Sequence, residues 1–124
     1  MKKKKLIIFH PYSSLGGADR NLYRLINNLN LKKFSITFIS LNKSVLKKQL
    51  SKKINFINLK ASRTLYVIFE LRKILNKHIE EQHNYEKIIL LSNQNFANII
   101  SFFSSLNLAQ IKKIFIERNH LDEL

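Results

Sequence analysis

Five short apolar runs divide the chain and predict β-strands. They are rich in Ile and Phe, and most are continuous rather than alternating: residues 6–9, 36–41, 54–59, 88–91 and 114–116. Continuous apolar runs are typical of strands that are covered on both faces, as in a parallel sheet. The pattern therefore predicts a buried parallel sheet.

Between these runs, apolar residues recur at spacings of three and four, which predicts amphipathic helices. A weaker helix is expected over residues 45–52, and Ser62 and Asn95 stand where N-caps are expected. We expect each apolar stripe to pack against the sheet. The three stripes are Leu22, Leu25, Ile26 and Leu29; Leu65, Ile68, Leu71, Leu75 and Ile79; and Phe96, Ile99, Ile100 and Phe103.

The alternation of strands and helices predicts the fold class, an α/β domain with a doubly wound parallel sheet of about five strands, as in Rossmann-like folds. Right-handed crossovers give the strand order third, second, first, fourth, fifth, with residues 6–9 at the centre. A chain of 124 residues without an internal repeat or a Pro/Gly-rich linker is expected to form one domain, residues 1–124.

Composition restricts the cellular compartment that we expect and the kinds of site that the chain can form. Cysteine is absent, so there is no disulfide framework and no thiolate metal site, which fits a reducing compartment. The apolar run that follows Lys2 to Lys5 is too short for a signal peptide, and no run approaches the roughly 20 residues of a membrane-spanning helix. We expect a cytoplasmic chain, and we find no zinc motif.

The formal net charge of +14 favours binding to anionic partners, and two classes are considered: nucleic acid and an anionic membrane surface. Lysine far outnumbers arginine and is spread through every segment, and no basic stripe is interleaved with stacking aromatic residues. These features argue against nucleic acid. The lysines at positions 2–5, 47, 48, 52 and 53 favour attraction to an anionic membrane surface, on the inner face of the membrane.

Chemistry is expected beyond the carboxyl ends of the strands, where the winding of the sheet reverses between strands one and four. Residues 10–17, which contain the only Pro and both Gly residues of the chain, face residues 92–95 at that point. Gly16 and Gly17 open the first helix, so their amides can present an anion to the positive end of the helix dipole. A phosphate is the expected ligand. The pair matches neither the dinucleotide fingerprint nor the P-loop, and a simple turn remains the alternative.

Three segments together resemble the family 4 retaining glycosyltransferases. Residues 16–20, Gly-Gly-Ala-Asp-Arg, resemble the Gly-Gly-Ala-Glu-Arg signature that follows the first strand in that family, with Asp19 in place of the usual Glu. Residues 93–100 resemble the family's fourth-strand loop and helix. Residues 116–119, Ile-Glu-Arg-Asn, resemble the Ser-Glu-Arg-Asn ending of strand five in polysaccharide and O-antigen members. The resemblance spans essentially the whole chain.

This resemblance implies the acceptor-side, N-terminal half of a two-domain GT-B fold. A C-terminal domain with a Glu-seven-residues-Glu motif then binds most of the nucleoside diphosphate sugar. The implied reaction is retaining transfer of a hexosyl or N-acetylhexosaminyl group to a glycan or lipid-linked acceptor in cell-surface polysaccharide synthesis, without an obligatory metal or other cofactor. Because the chain stops soon after the fifth strand, we expect a truncated domain that is inactive alone.

The resemblance also assigns site residues. Gly16 and Gly17 are expected at the donor pyrophosphate. Many relatives carry a His at the end of strand five, where this chain has Arg-Asn with His120 just beyond, so His120 is the candidate catalytic residue. Candidates for contact with acceptor or donor hydroxyls are Asn95, Glu117, Arg118 and Asn119.

Alternatives remain for these residues and for the chain as a whole. Glu117 and Arg118 can equally form a solvated ion pair, and His10 is a further candidate for polar contact with the sugar. A non-enzymatic basic module that docks on anionic lipid or nucleic acid is the rival function. A Rossmann domain of the response-regulator or dehydrogenase kind is disfavoured, because the acidic cluster after strand one and the dinucleotide fingerprint are both missing.

Overall fold

The computed structural model describes residues 2–11, 17–41, 52–60 and 63–116 of the chain. None of the helices in these ranges is long and apolar enough to cross a membrane. A short 3₁₀ helix, Gln82–Asn84, connects the second α-helix to the fourth strand. The elements follow the order β1 (Lys3–Phe9), α1 (Gly17–Asn28), β2 (Phe34–Leu41), β3 (Asn55–Leu59), α2 (Thr64–Glu80), β4 (Tyr85–Ser92), α3 (Asn95–Ser104) and β5 (Ile111–Phe115).

The five strands form one sheet in the order β3-β2-β1-β4-β5, and every neighbouring pair is parallel. The predicted order and the central position of β1 are therefore confirmed. The chain winds outward from β1 to β3 and then returns to place β4 on the other side of β1. This reversal puts the switch point between the carboxyl ends of β1 and β4.

Alternate residues of β1 point to opposite faces of the sheet and enter two separate cores. Leu6 and Ile8 pack in the core beneath α1, whereas Ile7 and Phe9 pack in the core beneath α2 and α3. Because successive side chains of a strand point to opposite faces, α1 lies on one face and α2 and α3 lie on the other. The doubly wound α/β architecture is confirmed.

Four strands begin earlier than their apolar runs, and two of them, β2 and β4, start at Phe34 and Tyr85. β1 starts at Lys3, and β5 starts at Ile111, which is paired with Ile88 of β4. Lys112 and Lys113 are exposed. Because they interrupt the apolar run, hydropathy does not predict the first half of β5. The strand still forms there because ladder hydrogen bonds join backbone groups, whatever the side chain.

Neither predicted N-cap holds that position. Asn95 is the first residue of α3, and Gln94 is the N-cap; α2 follows the N-cap Arg63. Neither N-cap residue makes a side-chain cap hydrogen bond. Ser62 and residues 45–51 of the weaker predicted helix lie outside the described residues.

Several residues of the predicted helical stripes do not face the sheet. Leu25, Leu65, Ile99 and Phe103 are exposed. Ile99, for example, is two positions after the buried Ala97, which places it about 200° around the helix. The expectation that each stripe packs as a whole on the sheet is therefore wrong, and large apolar side chains remain on the outer surface.

Candidate functional site

Buried polar side chains collect where the parallel strands end. They close or follow β1, β2 and β4, and each is at most 5% exposed: His10, Ser40, Ser92 and Asn93. We call this end of the sheet the carboxyl edge, and the opposite end the amino edge. Because all strands run in the same direction, polar residues from distant parts of the chain meet at the carboxyl edge.

His10 and Asn93 connect β1 to β4 across the switch point. Nδ1 of His10 lies 3.1 Å from Oδ1 of Asn93. With the amide oxygen as acceptor, the imidazole carries its proton on Nδ1 and donates it. The backbone N–H of His10 also donates to the carbonyl oxygen of Ile39 at 2.9 Å. His10 has no exposed surface, so this hydrogen bond lies beneath the surface at the switch point.

A second set of hydrogen bonds connects β4, α3 and the end of β5. The hydroxyl of Ser92 donates to Oδ1 of Asn98 at 2.6 Å, and Nδ2 of Asn98 donates to the carbonyl oxygen of Ile116 at 3.0 Å. The backbone N–H of Ile116 donates to the carbonyl oxygen of Ser92 at 2.8 Å. Sequence reasoning did not single out Asn98, although a polar residue in an apolar helix was a usable signal.

The row of hydrogen bonds extends to β2 and β3. The hydroxyl of Ser40 donates to Oδ1 of Asn58 at 3.2 Å, and the backbone N–H of Leu41 donates to the carbonyl oxygen of Pro11 at 3.2 Å. The carboxyl edge is thus cross-linked from β3 to the end of β5. Buried polar groups with satisfied hydrogen bonds give a rigid, pre-organised surface.

All three described α-helices begin at the carboxyl edge, because each follows the carboxyl end of a strand, and α1 and α3 follow the two strands that flank the switch point. α1 begins at Gly17, and α3 begins at Asn95, whose side chain is exposed. No glycine in the described ranges has a positive φ, so Gly17 belongs to the helix and does not form a strained turn. The first N–H groups of a helix have no intrahelical partner and carry the positive end of its dipole. They are suited to an anion.

The predicted site residues fall into two groups. Gly17 and Asn95 lie at the starts of α1 and α3, on the edge where the switch point was expected. Ile116, the residue that precedes the predicted Glu-Arg-Asn segment, is held beside Ser92 at the same edge. The remaining candidates lie outside the described residues: Gly16, Glu117, Arg118, Asn119 and His120.

Lysines converge at the amino edge, on the opposite end of the sheet. They line two neighbouring depressions, of about 730 and about 450 Å³. Glu86 is the acidic residue of the second depression. The lysine run at the start of β1 and Lys53 therefore lie close together in space. We call these six residues the lysine cluster: Lys2, Lys3, Lys4, Lys32, Lys33 and Lys53.

Two titratable side chains are buried near the amino edge. Nζ of Lys5 donates to Oγ of Ser35 at 3.3 Å and lies 5.8 Å from the centre of the Tyr85 ring. Burial lowers the pKa of Lys5, and the charge of Glu81 partly opposes this. Burial likewise lowers the pKa of His78, whose Nδ1 donates to the carbonyl oxygen of Ile74 at 2.8 Å. Both groups lie at the end of the sheet away from the candidate site.

Comparison with known proteins adds no family to these observations. The chain matches no protein-family model, and no curated protein sequence matches it. Within the ranges that the structure describes, no group of three or more His, Asp or Glu side chains is placed to hold a metal ion. The carboxyl edge is therefore the basis for a functional proposal.

Proposed function

We propose that the chain is the acceptor-side, N-terminal domain of a retaining glycosyltransferase with a GT-B architecture. The observation that carries the proposal is the buried hydrogen bond between His10 and Asn93, which joins the ends of β1 and β4 at the switch point. Open α/β sheets bind their ligands in the crevice at this point. The resemblance of residues 16–20 and 116–119 to family 4 glycosyltransferases supports a sugar nucleotide as that ligand.

The donor pyrophosphate is assigned to the helix N-termini. Gly17 opens α1, and α3 opens beside Asn93 without a side-chain cap. In glycosyl transfer, the anomeric carbon exchanges its bond to a diphosphate oxygen for a bond to the acceptor hydroxyl oxygen, and the hydroxyl proton passes to the departing diphosphate. Negative charge then grows on the departing diphosphate, and fixed N–H dipoles stabilise that charge without reorganising. Gly16 and Gly17 supply this contact in the proposal.

The sugar and acceptor hydroxyls are assigned to the polar residues around the crevice. Asn95 is exposed at the start of α3 and is available for such contact. Glu117, Arg118 and Asn119 follow Ile116, whose backbone is held at the same edge, and we propose them as further hydroxyl ligands. His120 is the proposed catalytic residue.

The setting of the reaction is also a proposal. We place the domain in the cytoplasm, peripherally on the inner face of the membrane, where it acts on a glycan or lipid-linked acceptor. A C-terminal domain binds most of the nucleoside diphosphate sugar. The net charge of +14 supports attraction to anionic lipid.

A transfer assay tests this function. The chain alone should show no turnover with nucleoside diphosphate hexoses or N-acetylhexosamines, whereas the chain joined to a C-terminal donor-binding domain should transfer sugar with retained anomeric configuration. Robust turnover by the chain alone contradicts the proposal that a second domain is needed to bind the donor. Failure of the joined protein to bind any sugar nucleotide contradicts the proposed function itself.

The lysine cluster favours a second candidate, a non-enzymatic module that binds an anionic surface through the amino edge. In that case affinity for anionic vesicles should fall steeply with salt and should not respond to sugar nucleotides. Changing Lys3→Gln together with Lys32→Gln should weaken the affinity. Binding of a sugar nucleotide at the carboxyl edge favours the glycosyltransferase.

A further inference from the structure

The outer surface of α2 and α3 carries large apolar side chains that do not enter the core. The residues lie on the two helices and on the turn after α3, and each is 40–60% exposed. Contiguous exposed patches of this kind are rare on soluble monomers and mark interaction surfaces. We call the following six residues the apolar face: Leu65, Phe69, Ile99, Phe102, Phe103 and Leu106.

Contacts between the two helices make these residues one surface. The guanidinium of Arg72 on α2 donates to the carbonyl oxygens of Ser104 and Leu106, at 3.2 and 2.9 Å. The hydroxyl of Ser104 donates to the carbonyl oxygen of Ile68 at 3.0 Å. Residues 65–72 of α2 therefore run beside residues 99–106 of α3. The rings of Phe102 and Phe103 lie 5.4 Å apart in an edge-on arrangement.

The charge around the apolar face is almost entirely positive. Residues 94–111 contain no charged side chain, so the centre of the surface is uncharged. Arg63, Arg72 and Lys73 lie at its α2 border, where Glu70 is paired with Lys73 at 3.3 Å. Lys113 is exposed on β5 and is paired in register with Leu90 of the core beneath these helices. The face thus has an apolar, aromatic centre and a basic border.

We infer that the apolar face docks on an anionic lipid bilayer. Aromatic and aliphatic side chains next to Arg and Lys are typical of helices that lie in the plane of a membrane interface. Charge complementarity selects this occupant over a second copy of the chain, because two copies of net charge +14 repel each other, whereas anionic lipid attracts each copy. The apolar face enters the bilayer, and the lysine cluster contributes only to long-range attraction.

Docking in this orientation brings the carboxyl edge close to the lipid. Ile99 follows Asn95 by four residues, which is about 6 Å along the helix axis. A lipid-linked acceptor anchored in the bilayer can then reach the crevice beside α3. This last step rests on the proposed function, whereas the docking itself does not.

A tryptophan reporter locates the docking surface. The chain contains no Trp, so Phe102→Trp introduces a single emitter on the apolar face, and Leu25→Trp introduces a matched one at a site 55% exposed on α1, on the other face of the sheet. Vesicles that contain phosphatidylglycerol should shift the emission of Phe102→Trp to the blue, and brominated lipid should quench it. The emission of Leu25→Trp should not change, and vesicles of pure phosphatidylcholine should affect neither variant.

Vesicle co-sedimentation tests the same inference with polar substitutions. Phe69→Ser and Phe102→Ser should each weaken partition roughly fivefold to tenfold, since each removes a half-exposed phenyl group. Leu25→Ser should change partition by less than about twofold. Circular dichroism should show that all three variants fold, because the altered side chains are exposed.

Three results overturn the inference. One is an equal loss of partition for Leu25→Ser and Phe102→Ser. Another is a loss caused only by Lys3→Gln with Lys32→Gln, which assigns docking to the lysine cluster. The third is self-association that Phe102→Ser abolishes in a chain that does not bind vesicles, which assigns the face to a second copy. Sugar transfer does not enter these readouts, so their failure leaves the glycosyltransferase proposal to its own assay.

Discussion

The imidazole Nδ1 of His10 lies 3.1 Å from the side-chain oxygen of Asn93, although the two residues are 83 positions apart in the chain. They meet only because β4 returns to the side of β1 after the winding of the sheet reverses. The hydrogen bond therefore depends on the doubly wound topology, and it lies at the switch point where the candidate site is placed.

Replacing Asn93→Leu should destabilise the domain. Leucine has a similar size but removes the acceptor of the His10 proton, and a lost buried hydrogen bond costs about 1–3 kcal/mol of unfolding free energy. Urea denaturation measures this change. Asn95→Leu is the control, because Asn95 is exposed and should change stability by no more than about 0.5 kcal/mol. Equal changes in unfolding free energy for the two substitutions would show that the buried hydrogen bond does not stabilise the domain.

Two serines of α3 should respond in opposite directions to alanine. Ser101 and Ser104 are both fully buried. The hydroxyl of Ser104 donates to the carbonyl oxygen of Ile68, whereas that of Ser101 has no hydrogen-bond partner among the described residues. Ser104→Ala should lower the unfolding free energy by about 1 kcal/mol. Ser101→Ala should raise the unfolding free energy by about 1 kcal/mol, because the substitution removes an unpaired buried hydroxyl and because alanine has the higher helix propensity. Calorimetry of both variants is the check, and a shift of the same sign in both contradicts it.

His78 should make stability depend on pH. Burial lowers the pKa of His78 below the ordinary value of 6.5. The hydrogen bond to Ile74 and the charge of Glu81 raise the pKa, and the charges of Lys5 and Lys77 lower it further. The unfolded chain therefore binds the proton more readily than the folded chain. The contribution of His78 to stability is complete above pH 6.5. It is lost as the pH falls towards the lower pKa of the folded state.

His78→Gln isolates this contribution, because glutamine keeps a hydrogen-bond donor but does not titrate. The thermal midpoint of the unmodified chain should fall more steeply between about pH 7.5 and about pH 5.5 than that of the variant. Parallel curves for the two proteins would place the pH dependence in other groups.

Gly17→Val should impair the two-domain enzyme without unfolding it. The β-branched side chain blocks the approach of a phosphate to the first amide of α1, and loss of one charge-assisted hydrogen bond corresponds to a fall of roughly 10- to 150-fold in kcat/KM. Because Gly17 already has helical backbone geometry, valine should not weaken the helix. Ala109→Val, an exposed site at the amino edge, is the matched control. If both variants lose little activity, Gly17 is only the first residue of α1 and contacts no phosphate.

The sheet could be predicted from sequence because its centre is continuously apolar. The run at residues 6–9 and the runs on either side carry the parallel, buried pattern, and the crossover rules then fix the strand order. Strand boundaries were harder to predict, since Lys3, Lys112 and Lys113 join the ladder through their backbones. The exposed Ile99 and Phe103 were misplaced because apolar spacing alone does not tell the core side of a helix from a second apolar surface.

The candidate site could be predicted only at the level of which segments meet. Topology brings residue 10 and residues 92–95 together, but the hydrogen bond between His10 and Asn93 depends on strand register, which hydropathy does not specify. The bridge from Ser92 through Asn98 to Ile116 depends on helix phase in the same way. The assignments to Glu117 and His120 stay predictions.

The central claim, that the carboxyl edge contacts the pyrophosphate of a nucleoside diphosphate sugar, is tested most directly by a ¹H–¹⁵N NMR titration of the ¹⁵N-labelled chain in high salt. The amide signals of Gly17, Asn93 and Asn95 should shift in a saturable way, and those of Lys32 and Lys33 at the amino edge should not move. Shifts confined to the lysine cluster, or the same shifts when sulfate replaces the sugar nucleotide, would contradict the account.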